Sequence, residues 1–250
     1  MTNSKSPRLR TVEKVKPPFQ LNKFPRDFHL LLAKEIVYLL ATKGKAVLEG
    51  AEWEEIFANC IGATWKPSNI GLDDVALENC AWGAKTVKAG NPHTQKKIRL
   101  ISGRNSPGYS FGTTKISNAD PNKLGEEVLS IWNERVSSIR QYYKHVRTVV
   151  LIKSNDLKKI AVFEFETIRY EPELYSWLWN KQGNLEGYSK QDKLHRFTWQ
   201  PHGSQFTILE DVPSDCLCLQ IKSPPKIDKN IVIENLGFDD KWVTIIKKNG

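Results

Sequence analysis

Residues 71–88, GLDDVALENCAWGAKTVK, constrain the fold more than any other part of this chain. They place Asp73 and Asp74 directly before a short apolar run and, after a kink, continue as a second apolar run with Lys85 in its middle. Two short apolar runs joined this closely predict neighbouring strands. A carboxylate and a lysine on neighbouring strands can share one face and converge on a metal ion. The segment therefore predicts a small charged site on a sheet.

The chemistry that such a pair supports is phosphodiester hydrolysis. Mg²⁺ keeps several waters and binds through one or two carboxylates together with phosphate oxygens. The lysine adds a positive charge beside the attacking water and the phosphoryl oxygens. Strand alternation puts Asp74, Ala76 and Glu78 on one face and leaves Asp73 on the more apolar face. Asp74 is therefore the predicted metal ligand, with Asp73 as the alternative, and Lys85 is the predicted catalytic lysine.

The segment resembles the active-site hairpin of the PD-(D/E)xK nuclease superfamily, which includes the type II restriction endonucleases. The superfamily pattern is an Asp, a short gap, and then an acidic residue, any residue and Lys on the next strand. Asp74 and Lys85 match the outer positions, but Gly83 stands at the second acidic position. A metal ligand is thus missing where the superfamily usually has one. Some members recruit a carboxylate from another element instead.

Residues 51–62 predict an amphipathic helix that could supply this carboxylate. Its apolar residues recur at helical spacing and a glycine follows as its stop: Trp53, Ile56, Phe57, Cys60, Ile61 and Gly62. Many enzymes of the superfamily carry a glutamate on a helix just before the metal-binding hairpin, and Glu54 and Glu55 are the candidates here. Glu54 flanks the apolar stripe, whereas Glu55 fits the glutamate–apolar–aromatic habit of the superfamily better. Both stay open as catalytic residues, with Glu55 as the predicted second metal ligand.

Each of these residues also has a structural interpretation. Asp73 and Asp74 could form a turn, where aspartate is common. Lys85 could face solvent on an edge strand, and the two glutamates could belong to the wet face of an ordinary helix. The order of helix glutamate, strand aspartate and strand lysine, at short range, favours the nuclease interpretation.

The composition favours a nucleic-acid partner. The 250 residues carry a net charge of +9, which is typical of proteins that bind a polyanion such as double-stranded DNA. Hydrophobic residues make up 40% of the chain, enough for a folded core, and no apolar run reaches the length of a membrane span. The N-terminus lacks the apolar region of a signal peptide. We expect a cytoplasmic prokaryotic protein with no membrane partner and, besides Mg²⁺, no small-molecule cofactor.

We predict an α/β fold of the restriction-endonuclease type, with a central mixed β-sheet flanked by helices and a β-rich C-terminal part. The predicted division is a basic N-terminal arm (1–22) and a single nuclease domain (23–250), with a catalytic core at about 45–170 and the β-rich part at about 171–250. A helix over 24–43 is predicted to bury a face that includes Leu30, Leu31, Val37 and Leu40. Further elements are a helix from Asp120 to about residue 143, a short helix or aromatic loop at 170–180, and strands at 96–102, 147–153, 159–168, 194–200, 205–210 and 215–222.

Two polar loops are candidates for reading base sequence, because Arg contacts guanine and Asn or Gln contacts adenine in the major groove. The first loop contains Arg104 and Asn105, and the second is the turn Gln200 to Gln205 with His202 in it. Both could instead be ordinary surface turns. Nearby basic residues are predicted to hold phosphates: Lys97, Arg99 and Lys115.

The resemblance implies a Mg²⁺-dependent, sequence-specific double-stranded DNA endonuclease of the type II restriction class that leaves 5′-phosphates. A two-fold symmetric homodimer is the simplest arrangement for cutting both strands of a palindrome. Two other interpretations stay open. One is a non-catalytic DNA-binding protein on a decayed nuclease fold, which Gly83 favours. The other is a DNA repair or recombination nuclease that selects structure instead of sequence.

Overall fold

The structure is a computed structural model that describes residues 15–113, 116 and 119–246. Lys115 and most of the predicted basic arm lie outside these residues. Within them the chain is a mixed α/β protein with two β-sheets and five α-helices, which confirms the predicted class. The end of the predicted arm belongs to the folded body, because the ring of Phe19 stacks on Trp82 and the carbonyl of Val15 is hydrogen-bonded by His145.

The helices and strands follow one another in a mixed order. The helices are α1 (Phe28–Lys43), α2 (Gly50–Ile61), α3 (Pro107–Phe111), α4 (Pro121–Arg140) and α5 (Lys229–Asn235). The strands are β1 (Thr64–Trp65), β2 (Val75–Leu77), β3 (Cys80–Lys88), β4 (Lys97–Arg104), β5 (His145–Lys153), β6 (Lys159–Glu166), β7 (Tyr175–Trp179), β8 (Leu185–Ser189), β9 (His195–Gln200), β10 (Gln205–Asp211) and β11 (Leu217–Gln220).

The two sheets divide the strands unequally. The first sheet has the order β1-β2-β3-β5-β6-β11, and within it β3 and β5 are parallel while the other pairs are antiparallel. The second sheet is antiparallel, with the order β4-β10-β9-β8-β7. Because β4 belongs to the second sheet, the predicted catalytic core and the predicted β-rich part share a sheet.

The first sheet is covered on both faces. Helix α2 packs on one face with Phe57 against Trp82 of β3, and α1 adds Phe28, Leu32 and Ile36 to the same hydrophobic core. The other face is covered by α4 and by the second sheet. This arrangement leaves the β2–β3 hairpin between α2 and α4, so side chains from both helices can reach it.

The buried face of α1 differs from the predicted one. The helix buries Phe28, Leu32, Ile36 and Leu39, whereas Leu30 and Leu31 are 53% and 39% exposed. A helix that is apolar on several sides has no unique stripe, so periodicity alone cannot select the face that packs.

Two further predictions have different outcomes. The start of the long helix α4 is confirmed, because the Asp120 side chain accepts a hydrogen bond from the Lys123 N–H and Pro121 is the first helical residue. The prediction of a short helix or aromatic loop at 170–180 is correct for the one-turn 3-10 helix Pro172–Leu174 and wrong for the residues after it, which form strand β7. Its residue Trp177 is buried against α4.

Candidate active site

Asp74 lies directly before β2, at the end of the β2–β3 ladder. Val75 pairs with Trp82, so the next position would pair with Gly83. In place of a further ladder bond, the Asp74 carboxylate accepts a hydrogen bond from the Ala84 N–H, with an N–O distance of 3.3 Å. This hydrogen bond ties the Asp74 side chain to β3, and the side chain is 3% exposed.

Lys85 lies on β3, on the face opposite to the one that packs against α2. Its Nζ is 3.7 Å from Asp74 Oδ2 and donates a hydrogen bond of 3.1 Å to the carbonyl of Gly71. The Lys85 side chain is 24% exposed, so solvent can reach the ammonium although its stem is covered. The predicted pair of aspartate and lysine is thus brought together on the hairpin.

The pKa of Asp74 reflects its burial and four neighbouring groups. Burial raises the pKa of Asp74, and the positive charge of Lys85 opposes this rise. The negative charge of Glu54 raises the pKa further, while hydrogen bonds from backbone N–H groups, including that of Ala84, lower it. The Asp74 carboxylate is therefore a buried group whose ionisation depends on Lys85.

Glu54, and not Glu55, is the helix glutamate on the side of Asp74. The Glu54 carboxylate accepts a hydrogen bond of 3.2 Å from the Trp65 indole and acts electrostatically on Asp74. Glu55 is exposed and faces a groove between α1 and α2 that is also lined by Glu35. The prediction of Glu55 as a metal ligand is therefore not supported by its position.

Asp73 is also buried, with 8% of its surface exposed. Its Oδ1 atom has no hydrogen-bond partner among the described residues. A buried carboxylate oxygen without a partner is costly unless a cation or a water reaches it. The role of Asp73 as the alternative ligand stays a prediction.

Gly83 is required by the close approach of the loop that precedes β2. A Cβ atom at position 83 would lie 2.8 Å from the Gly71 carbonyl oxygen and 3.2 Å from the Cα of Leu72. The same carbonyl holds the ammonium of Lys85. The acidic residue of the superfamily pattern is thus excluded here by the backbone that positions the lysine.

Arg135 of α4 is a residue that the sequence did not single out. Its guanidinium donates to the carbonyls of Ile70 and Ser102 and to Oδ1 of Asn105, at 2.6 Å for Ser102 and 3.2 Å for Asn105. Burial lowers the pKa of Arg135, and the charge of Asp74 opposes this shift. Arg135 therefore joins the loop before β2 to the end of β4, beside the Asp74 site. An isolated arginine in a helix carries no sequence signal of such a role.

The two predicted base-reading loops meet at one end of the second sheet. Gln205 pairs with Arg104 on one side and with Gln200 on the other. Arg104 and His202 are exposed, and the two glutamines are half-buried. These residues form a polar row across three strands, which we call the Arg104 row. The Arg135 side chain bridges this end of β4 and the loop that holds Lys85.

Asn105 is not available for reading bases. It is completely buried, its amide donates to the Val128 carbonyl, and its Oδ1 accepts from Arg135. Lys97 and Arg99, predicted to hold phosphates, are exposed along one face of β4. Lys97 also forms an ion pair of 3.6 Å with Asp211.

The donor set at the hairpin suits Mg²⁺. Asp74 and Glu54 carry carboxylate oxygens, the type of donor that Mg²⁺ prefers, and the negative charge of Glu54 raises the pKa of Asp74. The part of the chain that the structure describes contains no arrangement of three or more His, Cys, Asp or Glu side chains that could hold a metal by itself. A magnesium ion at this site would complete its shell with waters and phosphate oxygens.

Comparison with protein-family models, with characterised proteins and with solved structures gave no match to this chain. Among the described residues, no helix has both the length and the apolar character needed to cross a membrane.

Proposed function

We propose that this chain is a Mg²⁺-dependent endonuclease of the PD-(D/E)xK type that cuts double-stranded DNA at specific sequences. The observation that carries the proposal is the 3.7 Å contact between Lys85 Nζ and Asp74 Oδ2, with the charge of Glu54 acting on the same aspartate. This is the order of helix glutamate, strand aspartate and strand lysine that the resemblance implies. The net charge of +9 supports a polyanionic substrate.

In this proposal, each residue of the site has one role. Asp74 and Glu54 would hold the Mg²⁺ ion, which would supply positive charge to the phosphoryl group and help to activate water. The ammonium of Lys85 keeps Asp74 ionised, orients the attacking water and stabilises charge that develops on the phosphoryl oxygens. In-line attack by water then leaves a 5′-phosphate.

The Arg104 row supports selection by sequence. Arginine and glutamine are the side chains that form paired hydrogen bonds with guanine and adenine in the major groove. The Arg135 guanidinium joins the end of β4 to the carbonyl of Ile70 in the loop before β2. The next residue, Gly71, holds Lys85, so in this proposal a movement of the Arg104 row on DNA would shift the position of Lys85. Arg135 is thus a positioning residue in this proposal.

The test is digestion of a plasmid of known sequence with Mg²⁺ by the Lys85→Ala variant. We expect cleavage to be abolished while DNA binding stays within a few-fold of wild type. Lys88→Ala is the matched control, because Lys88 is an exposed lysine on the same strand and its loss should leave cleavage intact. Cleavage by Lys85→Ala at nearly the wild-type rate would remove Lys85 from the site.

The pattern of products separates sequence selection from structure selection. Discrete fragments from a long DNA, with ends that map to one repeated sequence, support a restriction-type enzyme. A smear, or cutting confined to branched substrates, would instead support a repair or recombination nuclease.

A non-catalytic DNA-binding protein is the second candidate, and the exclusion of a carboxylate at Gly83 is the observation that favours it. It predicts DNA binding without cleavage in Mg²⁺ or Mn²⁺. In that case both Lys85→Ala and Lys88→Ala would change only the affinity for DNA, and to a similar extent.

A further inference from the structure

The C-terminal segment of residues 222–246 is exposed along nearly its whole length and belongs to none of the hydrophobic cores. Helix α5 has no buried residue. The segment nevertheless carries large apolar side chains that face solvent: Ile231, Val232, Ile233, Leu236, Phe238 and Trp242. Contiguous exposed apolar surface of this kind marks interaction sites on folded proteins.

This C-terminal segment leaves the body beside a second exposed apolar surface. The N–H of Ile227 donates to the carbonyl of Ala41, in the last turns of α1. On the outer side of α1, Leu30, Leu31 and Tyr38 are 53%, 39% and 66% exposed. Residues seven and eight positions apart lie on the same side of a helix, so these three side chains form one face. Within the described residues, the C-terminal segment and this face of α1 are both exposed, and neither covers the other.

The charge of the C-terminal segment indicates what kind of partner it fits. Residues 222–246 contain four lysines and four acidic residues, so the segment is neutral in a chain of net charge +9. Binding to nucleic acid or to an anionic membrane draws on an excess of Lys and Arg. A neutral apolar segment is suited instead to a protein surface.

The area of the segment is also that of a stable protein interface, which buries roughly 800 Å² on each partner. Phe238 and Trp242 are 46% and 60% exposed. An aromatic side chain that becomes fully buried removes roughly 150–250 Å² from solvent, so the exposed half of each of these two residues offers about 100 Å². The exposed aliphatic side chains of the segment add several times that area.

We propose that residues 222–246 bind the outer face of α1 on a second copy of this chain. Because every copy carries one segment and one α1 face, the contact is made twice around a two-fold axis and closes as a dimer. The proposal goes beyond the nuclease activity and does not depend on it.

The first measurement is the mass of the full chain in solution without DNA, by sedimentation or light scattering. We expect the wild type to be a dimer. The Trp242→Glu and Leu31→Glu variants should each dimerise at least about tenfold more weakly, because each loses a central anchor of the interface. Leu178→Glu is the control, because Leu178 is 48% exposed on β7, outside both surfaces, and should leave the dimer intact. Circular dichroism checks that each variant is folded.

The deciding measurement mixes Trp242→Glu with Leu31→Glu. In a mixed pair, the segment of the Leu31→Glu chain meets the α1 face of the Trp242→Glu chain, and both of these surfaces are wild type. We therefore expect a heterodimer, although neither variant dimerises well alone. Association of segment with segment, or of α1 with α1, gives no such recovery and would overturn the proposal.

Three other outcomes would also overturn it. A wild-type chain that is monomeric from micromolar to sub-millimolar concentration would mean that the segment binds its own α1 or nothing. Loss of the dimer in Leu178→Glu would place the interface elsewhere. Weaker binding of Trp242→Glu to duplex DNA or to phosphatidylserine vesicles, with no dimer in the wild type, would assign the segment to those ligands.

Discussion

Glu54 and Glu55 show how strongly a site depends on the rotation of one helix. Successive residues of an α-helix point about 100° apart, so only one of the two can face the hairpin. Glu54 accepts a hydrogen bond from Trp65 and acts on Asp74, whereas Glu55 is on the exposed side. The carboxyl titration of Asp74 is therefore a direct probe of which glutamate belongs to the site.

We expect Glu54→Gln to lower the pKa of Asp74 and Glu55→Gln to leave it unchanged. The reason is that the charge of Glu54 raises this pKa and Gln carries none. Lys85→Met should raise the pKa, because it removes the charge that opposes burial. Carbon-13 NMR of the Asp74 carboxyl checks all three variants, and an equal response to the two Gln variants would contradict the assignment of Glu54.

The pH dependence of cleavage has the same origin. Only the ionised form of Asp74 binds a cation, and burial raises its pKa above the ordinary aspartate value of about 3.9. Activity should therefore be complete above the raised pKa and fall as the pH decreases through it. The measurement is the cleavage rate at saturating Mg²⁺ across the acid range, compared with the NMR titration.

Gly83→Glu should not improve the enzyme, although it restores the acidic residue of the superfamily pattern. Its Cβ would lie 2.8 Å from the Gly71 carbonyl oxygen, so either β3 or the loop that holds Lys85 has to move. Overpacking of this kind typically costs 1–3 kcal/mol, and cleavage should fall with it. Urea unfolding and cleavage of Gly83→Ala and Gly83→Glu are the measurements, because both variants carry the Cβ. Faster cleavage by Gly83→Glu would show that the loop can move aside.

At the scale of elements, strand β10 creates the Arg104 row by lying between β4 and β9. If Arg104 contacts guanine through two hydrogen bonds, Arg104→Ala should cost about 1–3 kcal/mol on cognate DNA and relax one base position. Lys97→Ala should weaken all sequences alike and lower the salt dependence by about one unit. Binding of both variants to cognate and to one-base-altered DNA at two salt concentrations is the measurement. Equal weakening of both DNAs by Arg104→Ala would assign Arg104 to the phosphate backbone.

The elements that the sequence predicted correctly are those set by local chemistry. The apolar runs of β5 and β6 around a polar turn, and the N-cap Asp120 followed by Pro121, depend on neighbouring residues alone. The juxtaposition of Asp74 with Lys85 was accessible for the same reason, because a hairpin brings them together over a short length of chain.

The parts that were missed depend on contacts between distant segments. Asn105 has the composition of a loop tip, yet it is buried because α4 and β9 pack over it and satisfy its polar groups. The side of α1 that packs, and the bridging role of Arg135, are likewise fixed by partners far along the chain. Local pattern contains no information about such partners.

At the scale of the whole molecule, Glu210 of β10 makes stability depend on pH. It lines a cavity of about 350 Å³ that also contains Tyr170 and Arg196. Burial raises the pKa of Glu210 to about 7, and the charge of Arg196 limits the rise. In the folded state Glu210 therefore keeps its proton up to a pH of about 7, whereas in the unfolded state it releases the proton near the ordinary glutamate pKa.

We expect Glu210 to contribute stability that is fully present below the ordinary glutamate pKa and is lost as the pH rises through about 7, the pKa of Glu210 in the folded state. The loss is on the order of 2–3 kcal/mol, and it should be absent in Glu210→Gln. Thermal unfolding between pH 4 and pH 8 checks this, with Glu173→Gln as the control, because Glu173 is an exposed glutamate whose charge does not contribute to the raised pKa of Glu210. Identical pH profiles for wild type and Glu210→Gln would rule out the raised pKa.

The pairing of β4 with β10 has a consequence for the synthesis of the chain. Arg104 gains its neighbour only when Gln205 has left the ribosome, since the two strands are adjacent in the sheet but distant along the chain. Pairing over so long a loop is slow and is completed late in folding. A nascent chain that already contains Asp74 and Lys85 therefore still lacks the β4–β10 pairing that forms the Arg104 row.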